Sequence, residues 1–386
     1  MRIYLLIMAA AAAVSFLATP MVRSVAWRWG AVKPVRARDV HNTPTPRLGG
    51  VGIFIGLAAA MLFASQIGFL EEQFTDPVLW AVLVCAGLIC LLGVADDLWD
   101  LDWLTKLVGQ TLIAVLLVWQ GVQLVTFPVF GLTIGSSRLS MWTTVIVLVV
   151  AMNAVNWIDG LDGLAAGVVA IGGAAFFLYT YLLTQITDPT DYSNQATVLM
   201  AILVGACVGF LPHNFYPARI FMGDSGAMML GLVMGAAGIV VTGQANPGVL
   251  EARQALPAFM PILLPIAVLL LPLLDVTATV LRRVLKGKSP FHADRTHLHH
   301  RLLDRGNSMR RAVVILYVWT FAFAFPAALF AMFPQWWVVA GAGVGLLLAL
   351  IITLVRLPVR TSEGWRRFPA KSAAGSLGAS VTTKDD

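Results

Sequence analysis

VLWAVLVCAGLICLLGVADDLWD, residues 78–100, decides how this chain is to be read. Residues 78–95 carry no charge and are long enough to cross roughly 30 Å of hydrocarbon. The run then ends abruptly on Asp96, Asp97 and Asp100. A carboxylate near a bilayer core costs roughly 2.5 to 3.5 kcal/mol on insertion scales, so acids in such a place point to function.

The same pattern extends along the chain. Hydrophobic residues make up 59% of 386 positions and charged residues 12%, with a mean hydropathy of +0.82. These values predict an all-α polytopic membrane protein and argue against a soluble enzyme. About eleven apolar runs have spanning length, at 3–22, 48–66, 78–95, 107–125, 141–158, 164–184, 195–212, 226–243, 257–281, 312–333 and 336–355. Residues 126–140 alternate apolar with small or polar side chains around Gly131 and Gly135, which suggests a short outer hairpin.

Orientation follows from the distribution of Lys and Arg. If 23–47 faces the cytoplasm, so do 96–106, 159–163, 213–225, 282–311 and the C-terminal tail. Of the 26 Lys and Arg, only Arg2, Arg138 and Arg253 are then outside. The expected N-terminus is outside and the C-terminus cytoplasmic. Arg23, Arg28, Lys33, Arg36 and Arg38 follow the first apolar run instead of preceding it, which favours an uncleaved anchor over a signal peptide. Residues 1–357 read as one integral membrane catalytic domain, and 358–386 as a Ser/Ala/Gly-rich disordered cytoplasmic tail. Cys85, Cys90 and Cys207 lie in apolar runs without metal-ligand or disulfide spacing, as small core residues do.

Besides ADDLWD at 95–100, three polar clusters interrupt the apolar chain: NAVNWIDGLDG at 153–163, FMGDSG at 221–226 and SPFHADRTHLHHRL at 289–302. The topology puts all four on the inner face. Asp96, Asp97, Asp159, Asp162 and Asp224 would repel one another there: a like-charged pair at about 4 Å costs roughly 1 kcal/mol in water and about 4 at an effective dielectric of 20. They require cations. Lys106, Arg295, Arg301 and Arg305 supply some, and oxygen ligands with few thiols favour Mg2+ or Mn2+ over Zn2+. Because Mg2+ usually completes its shell with substrate phosphates, a phosphorylated substrate is implied.

Asp96 and Asp97 are neighbours, so on a helix they diverge by about 100° and one can face the cleft while the other turns to a neighbouring helix. Asn153, Asn156, Asp159 and Asp162 follow one another at i, i+3 and can line one edge of a helix end. Ordinary capping and turn formation is the alternative role for each. Asp224 lies where a helix start could approach an anion, and Phe221 could either pack or stack on a base. His292, His297, His299 and His300 are four of the six histidines. With Arg295 and Arg301 they suit anion binding better than zinc, for lack of an accompanying carboxylate or thiol set. A basic loop resting on anionic lipid headgroups is the other reading.

Together HNTPTPRLGG at 41–50, ADDLWDLDWLTKLVGQ at 95–110, NAVNWIDGLDGLAAG at 153–167, FMGDSGAMMLG at 221–231 and HADRTHLHHRLLDRG at 292–306 resemble the polyprenyl-phosphate N-acetylhexosamine-1-phosphate transferase family, of glycosyltransferase family 4 type. Five motifs in the family's order make the match specific. The Asp-X-X-His-X-His-His form of the last one, with Leu298 interrupting the histidines, is similar to the branch that transfers N-acetylglucosamine 1-phosphate. The resemblance implies transfer from UDP-GlcNAc to polyprenyl phosphate at a bacterial plasma membrane, giving polyprenyl-diphosphate-GlcNAc and UMP, the first membrane step of a cell-envelope polysaccharide. Another UDP-N-acetylhexosamine, or UDP-MurNAc-pentapeptide, is the alternative donor. By the same resemblance Asn156 and Asp224 are expected to hold Mg2+, with Mn2+ as a substitute. Asp96, Asp97, Lys106 and His297 are the expected catalytic groups. Thr43, Arg47, Asn153, Asp159, Asp162, Phe221, Asp294, Arg295, His299, His300 and Arg301 are expected to contact substrate. The expected partners are the UDP-sugar and the membrane-held lipid, without nucleic acid, and a homodimer is an open expectation for assembly.

An ion-coupled transporter, the rival class, would place polar residues near the midplane and show paired inverted halves. This chain gathers its polar clusters at one face and shows no such halves.

Overall fold

A computed structural model describes residues 1–32, 44–124, 136–186, 193–243, 307–330 and 335–355, with the single positions 277, 285 and 333. The expected ninth span and the expected tail lie outside these residues, apart from position 277.

Helix α1 spans Arg2–Arg28 and α2 Gly49–Ala64; a 3-10 turn at Gly68–Leu70 then leads into the short α3, Glu71–Thr75. Next come α4 (Val78–Trp99), α5 (Trp103–Trp119), α6 (Ser137–Ile158), α7 (Leu164–Ile186), α8 (Ser193–Asn214), α9 (Gly223–Gly243), α10 (Met309–Phe330) and α11 (Gln335–Leu354). Among the described residues the only β pairing is the isolated bridge between Val32 and Pro46.

Eight of these helices are long and apolar enough to cross a membrane, or nine if α2 and the segment after it, bent by 95°, form one span. The expectation of about eleven is thus met only in part. Helices α2 and α5 have 16 and 17 residues, about 24 to 26 Å at 1.5 Å per residue, short of the hydrocarbon thickness. The expected loops also shrink. Residues 96–99 end α4 and Lys106 lies inside α5, so only 100–102 connect the two. In the expected hairpin, 137–140 form the first turn of α6, and 125–135 are not described.

Helix α9 is the axis of the bundle, with 94% of its spanning window buried, whereas α11 has 11% buried and faces outward. Lipid gives no hydrophobic reward for joining two apolar helices, so close backbone approach through small residues matters more. On α9, a Cβ at Gly231 would lie 2.5 Å from the Ala151 carbonyl oxygen of α6. On α8, a Cβ at Gly205 or Gly209 would lie 2.2 or 2.1 Å from the carbonyl oxygens of Met8 and Ala12 on α1.

Pro20 lacks the N–H that would bond the Phe16 carbonyl one turn earlier in α1. That oxygen accepts instead from His213 Nε2–H of α8, 3.0 Å away, and the two rings lie 4.7 Å apart. Trp27, Trp29, Trp99, Trp103 and Trp157 are exposed at helix ends on the side of the acidic clusters, with Trp119, Trp142, Trp336 and Trp337 exposed toward the opposite ends. Two such tryptophan belts suit the two membrane interfaces.

Candidate active site

Two segments far apart in the chain, 46–50 and 221–226, build the first wall. The N–H of Phe221 donates to the Pro46 carbonyl at 2.8 Å, and those of Gly49 and Gly50 donate to the carbonyls of Phe221 and Met222, each at 2.9 Å. Buried Leu48 adopts φ 86° between them, at the start of α2. A Cβ on Gly50 would sit 2.0 Å from the Gly226 nitrogen, so the two chains meet backbone to backbone. This pairing brings Arg47 beside the FMGDSG segment.

The start of α9 meets the end of α4. Gly223 has φ +71° and no room for a Cβ, which would lie 2.3 Å from Asp97 Oδ2. Asp97 Oδ1 accepts from the Asp224 N–H at 3.2 Å and Oδ2 from the Ser225 N–H at 3.3 Å. A carboxylate at a helix N-terminus satisfies otherwise unpaired N–H groups and complements the helix dipole. Asp97 is 2% exposed, with both its oxygens turned to α9. Asp96, its neighbour, points elsewhere: its Oδ2 accepts from Lys106 Nζ at 2.8 Å. The divergence expected of adjacent helical residues is the one observed.

Lys106 Nζ also donates to Asp224 Oδ2, so one ammonium bridges carboxylates from α4 and α9. Asp102 sets the turn that presents it. Its carboxylate accepts from the N–H groups of Leu104 and Thr105, each at 3.0 Å, and from the Thr105 hydroxyl at 2.5 Å. These bonds, that of the Thr105 hydroxyl first, hold the Asp102 carboxyl below its ordinary pKa. One turn beyond Lys106, buried Gln110 accepts from Asn153 Nδ2 at 2.6 Å and donates to Met228 Sδ at 2.9 Å. Asn156, one turn beyond Asn153 on α6, donates to Asp224 Oδ1 at 2.9 Å.

Asp159 closes α6 and is half-buried. Burial pushes its carboxyl up to about 7, and the charges of Asp224 and Asp97 add to this while Arg47 opposes it. Buried Asp162 accepts the Ala218 N–H at 2.9 Å.

The structure thus brings together Arg47, Asp96, Asp97, Lys106, Asn153, Asn156, Asp159, Asp162, Phe221 and Asp224. Thr43, Asp294, Arg295, His297, His299, His300 and Arg301 lie outside the described residues. Gln110 and Ser225, which tie Asn153 and Asp97 into the cluster, were not singled out from the sequence. Gln110 had a signal there, since it lies at i+4 from Lys106 in an apolar run.

The donor set fits a hard cation. The amide oxygen and nitrogen of Asn156 exchange places by a half-turn of the side chain, so Asn156 and Asp224 can offer two oxygens to one ion. Among the described residues no three His, Cys, Asp or Glu side chains form a ready-made metal cage. Mg2+ usually takes one or two carboxylates and fills its shell with phosphate and water, so two side-chain oxygens are a sufficient protein share.

Such a bundle, with carboxylates bridged by Lys106 and gathered at one end of its apolar helices, defines a polytopic membrane protein with a charged site at one end of its spans. A family model described as glycosyl transferase family 4 matches residues 79–242. The chain is 41% identical over 359 residues to the decaprenyl-phosphate N-acetylglucosaminephosphotransferase of Mycolicibacterium smegmatis, covering 92% of this chain and 88% of that one. It is 33% identical to a probable undecaprenyl-phosphate N-acetylglucosaminyl 1-phosphate transferase of Bacillus subtilis, over 82% of each chain. A phospho-N-acetylmuramoyl-pentapeptide-transferase of Desulforudis audaxviator shares 34% identity over 60% of this chain and 75% of its own. The chain belongs to glycosyl transferase family 4.

Proposed function

We propose that the protein transfers N-acetylglucosamine 1-phosphate from UDP-GlcNAc to a polyprenyl phosphate, giving polyprenyl-diphosphate-GlcNAc and UMP at a bacterial plasma membrane. The observation that carries this reading is the bridged set Asp96, Lys106, Asp224 and Asn156, drawn from four helices of a chain whose relatives bear that activity in their names. The excess of Lys and Arg in the alternate loops supports a cytoplasmic site, an outer N-terminus and an inner C-terminus.

In the proposed reaction an oxygen of the acceptor phosphate attacks the sugar-linked phosphorus. The bond from that phosphorus to the bridging oxygen breaks, and the electron pair leaves with UMP. Phosphoryl transfer of this kind depends chiefly on positioning and on neutralising charge. A phosphate monoester, with a second pKa near 6, is already largely ionised at pH 7, so the acids need not remove a proton. Mg2+ held by Asp224 and Asn156 would supply positive charge to the diphosphate. Lys106 adds a second positive charge beside it and keeps Asp96 and Asp224 from repelling one another. Asp96 positions the acceptor through Lys106, while Asp97 acts one step back by fixing the first turn of α9. Phe221, Arg47, Asn153, Asp159 and Asp162 form the wall for the nucleotide. His297, with Arg295, His299, His300 and Arg301, would grip phosphates, Asp294 of the same segment would contact substrate, and Thr43, with Arg47, would touch the nucleotide.

Purified protein given UDP-GlcNAc, polyprenyl phosphate and Mg2+ should release UMP. Absence of UMP with every UDP-N-acetylhexosamine, together with solute accumulation in protein-loaded vesicles, would put the transporter ahead of the transferase. Asp224→Asn should lower activity severely and raise the Mg2+ concentration needed for half-maximal rate. An unchanged metal dependence would remove Asp224 from the ligand set.

A further inference from the structure

Gly163 ends the DGLDG run and has φ +75°, which an L side chain rarely adopts. Its two backbone polar groups are held from three directions. The N–H donates to Asn214 Oδ1 at the end of α8, 3.0 Å away. The carbonyl accepts the Gly167 N–H at 3.0 Å within α7, and also accepts from the Tyr317 hydroxyl of α10. The Tyr317 ring rests directly on α7, since a Cβ on Gly167 would lie 2.0 Å from both Cζ and the hydroxyl oxygen of that ring. Seven residues earlier in α10 the chain holds the neighbouring loop as well. Arg310 Nε donates to the Tyr216 carbonyl at 3.3 Å, and its guanidinium lies 5.5 Å from the centre of the Tyr216 ring.

From this arrangement we infer that Tyr317 is a positioning residue for donor binding, acting through the Gly163 carbonyl on the loop that carries Asp159 and Asp162. The inference rests on the proposed role of that loop in the nucleotide wall. A left-handed glycine between a short loop and a helix start has several accessible conformations, and an external donor on its carbonyl selects one of them. Helix α10 is also the element that directly follows the 292–306 histidine segment in the chain. Tyr317 and Arg310 therefore tie the register of that helix to the two loops beside the acidic cluster. Tyr317 touches neither Asp96, Lys106 nor Asp224 by any hydrogen bond described above, so its loss should spare the transfer step itself.

Tyr317→Phe removes the hydroxyl and keeps the ring over Gly167. One net hydrogen bond corresponds to a change of about two- to tenfold. The expected result is a rise of that size in KM for UDP-GlcNAc and an equal loss of UDP affinity by calorimetry. The kcat and the KM for polyprenyl phosphate should stay as in the wild type, and the melting temperature should fall by no more than about 2 to 4 °C, because the Gly163 carbonyl keeps the Gly167 N–H. Gly167→Ala, which displaces the ring while leaving the hydroxyl, should shift the donor KM in the same direction. Unchanged donor KM and UDP affinity in Tyr317→Phe would overturn the inference, as would a joint loss of kcat, both KM values and melting temperature. If wild-type protein binds UDP but does not turn over UDP-GlcNAc, the proposed function falls; weaker UDP binding by Tyr317→Phe would then still support the positioning role. A wild type that neither binds UDP nor turns over sinks both.

Discussion

The adjacent acids Asp96 and Asp97 should fail in different ways when each is changed to Asn. Asp97 accepts two backbone N–H groups with its two oxygens, at 3.2 and 3.3 Å. An asparagine keeps one acceptor and turns an NH2 group toward the other N–H, so one bond is lost and two donors face each other in a buried place. A hydrogen bond to a charged acceptor contributes roughly 1.5 to 3 kcal/mol, and leaving a buried donor unpaired costs about 1 to 3. Loss of the favourable charge at the helix start adds about 0.3 to 1 kcal/mol. Because these contributions overlap, a destabilisation of about 2 to 4 kcal/mol is expected for Asp97→Asn, with the first turn of α9, and Asp224 on it, displaced. In a chain of this size that lowers the melting temperature by a few degrees. Asp96→Asn removes a charge beside Lys106 without orphaning a backbone group, so it should lose activity with little change in melting. The assay is thermal unfolding of both variants in detergent, read beside UMP release. If Asp97→Asn melts as the wild type and loses activity alone, Asp97 takes part in the chemistry and the scaffold argument is wrong.

His213→Ala leaves the Phe16 carbonyl, already deprived of its helical partner by Pro20, without a donor, and should destabilise by about 1 to 3 kcal/mol; thermal unfolding checks this, and an unchanged midpoint would show the carbonyl finding another donor. Gly93→Ala would put a Cβ 2.3 Å from the Ser225 N and Cα atoms. Overpacking of this kind costs about 1 to 3 kcal/mol, and UMP release should fall because α9 shifts against Asp97. In chelator, the half-buried Asp159, whose carboxyl is raised to about 7, binds its proton more tightly in the folded state than in the unfolded one. Its stabilising contribution is complete below pH 4 and is lost as pH rises to 7 and beyond. Melting measured from pH 5 to 8 should therefore fall more steeply in the wild type than in Asp159→Asn, and parallel curves would rule this source out.

How much of this was legible in the sequence depends on whether a feature is local. Apolar runs show spans directly, and the i, i+3 series from Asn153 to Asp162 placed Asn153 and Asn156 on the edge where they now meet Gln110 and Asp224. The 100° divergence of Asp96 and Asp97 was readable in the same way, but not which acid would turn inward. That depends on the end of α4 meeting the start of α9, a contact across 127 residues. Lys106 was assigned to a loop because a charge ends an apolar count, yet Asp102 starts the helix before it and thereby aims it at Asp96. The pairing of Gly49 and Gly50 with Phe221 and Met222 left only a weak trace, two adjacent glycines. The structure gives those glycines their reason: in lipid, where burying leucine earns nothing extra, the separate acidic segments can be held in register only if their backbones touch. Gly50 against Gly226 and Gly93 against Ser225 provide that touch. The precision of the acidic cluster therefore resides as much in the missing side chains behind it as in the carboxylates that line it.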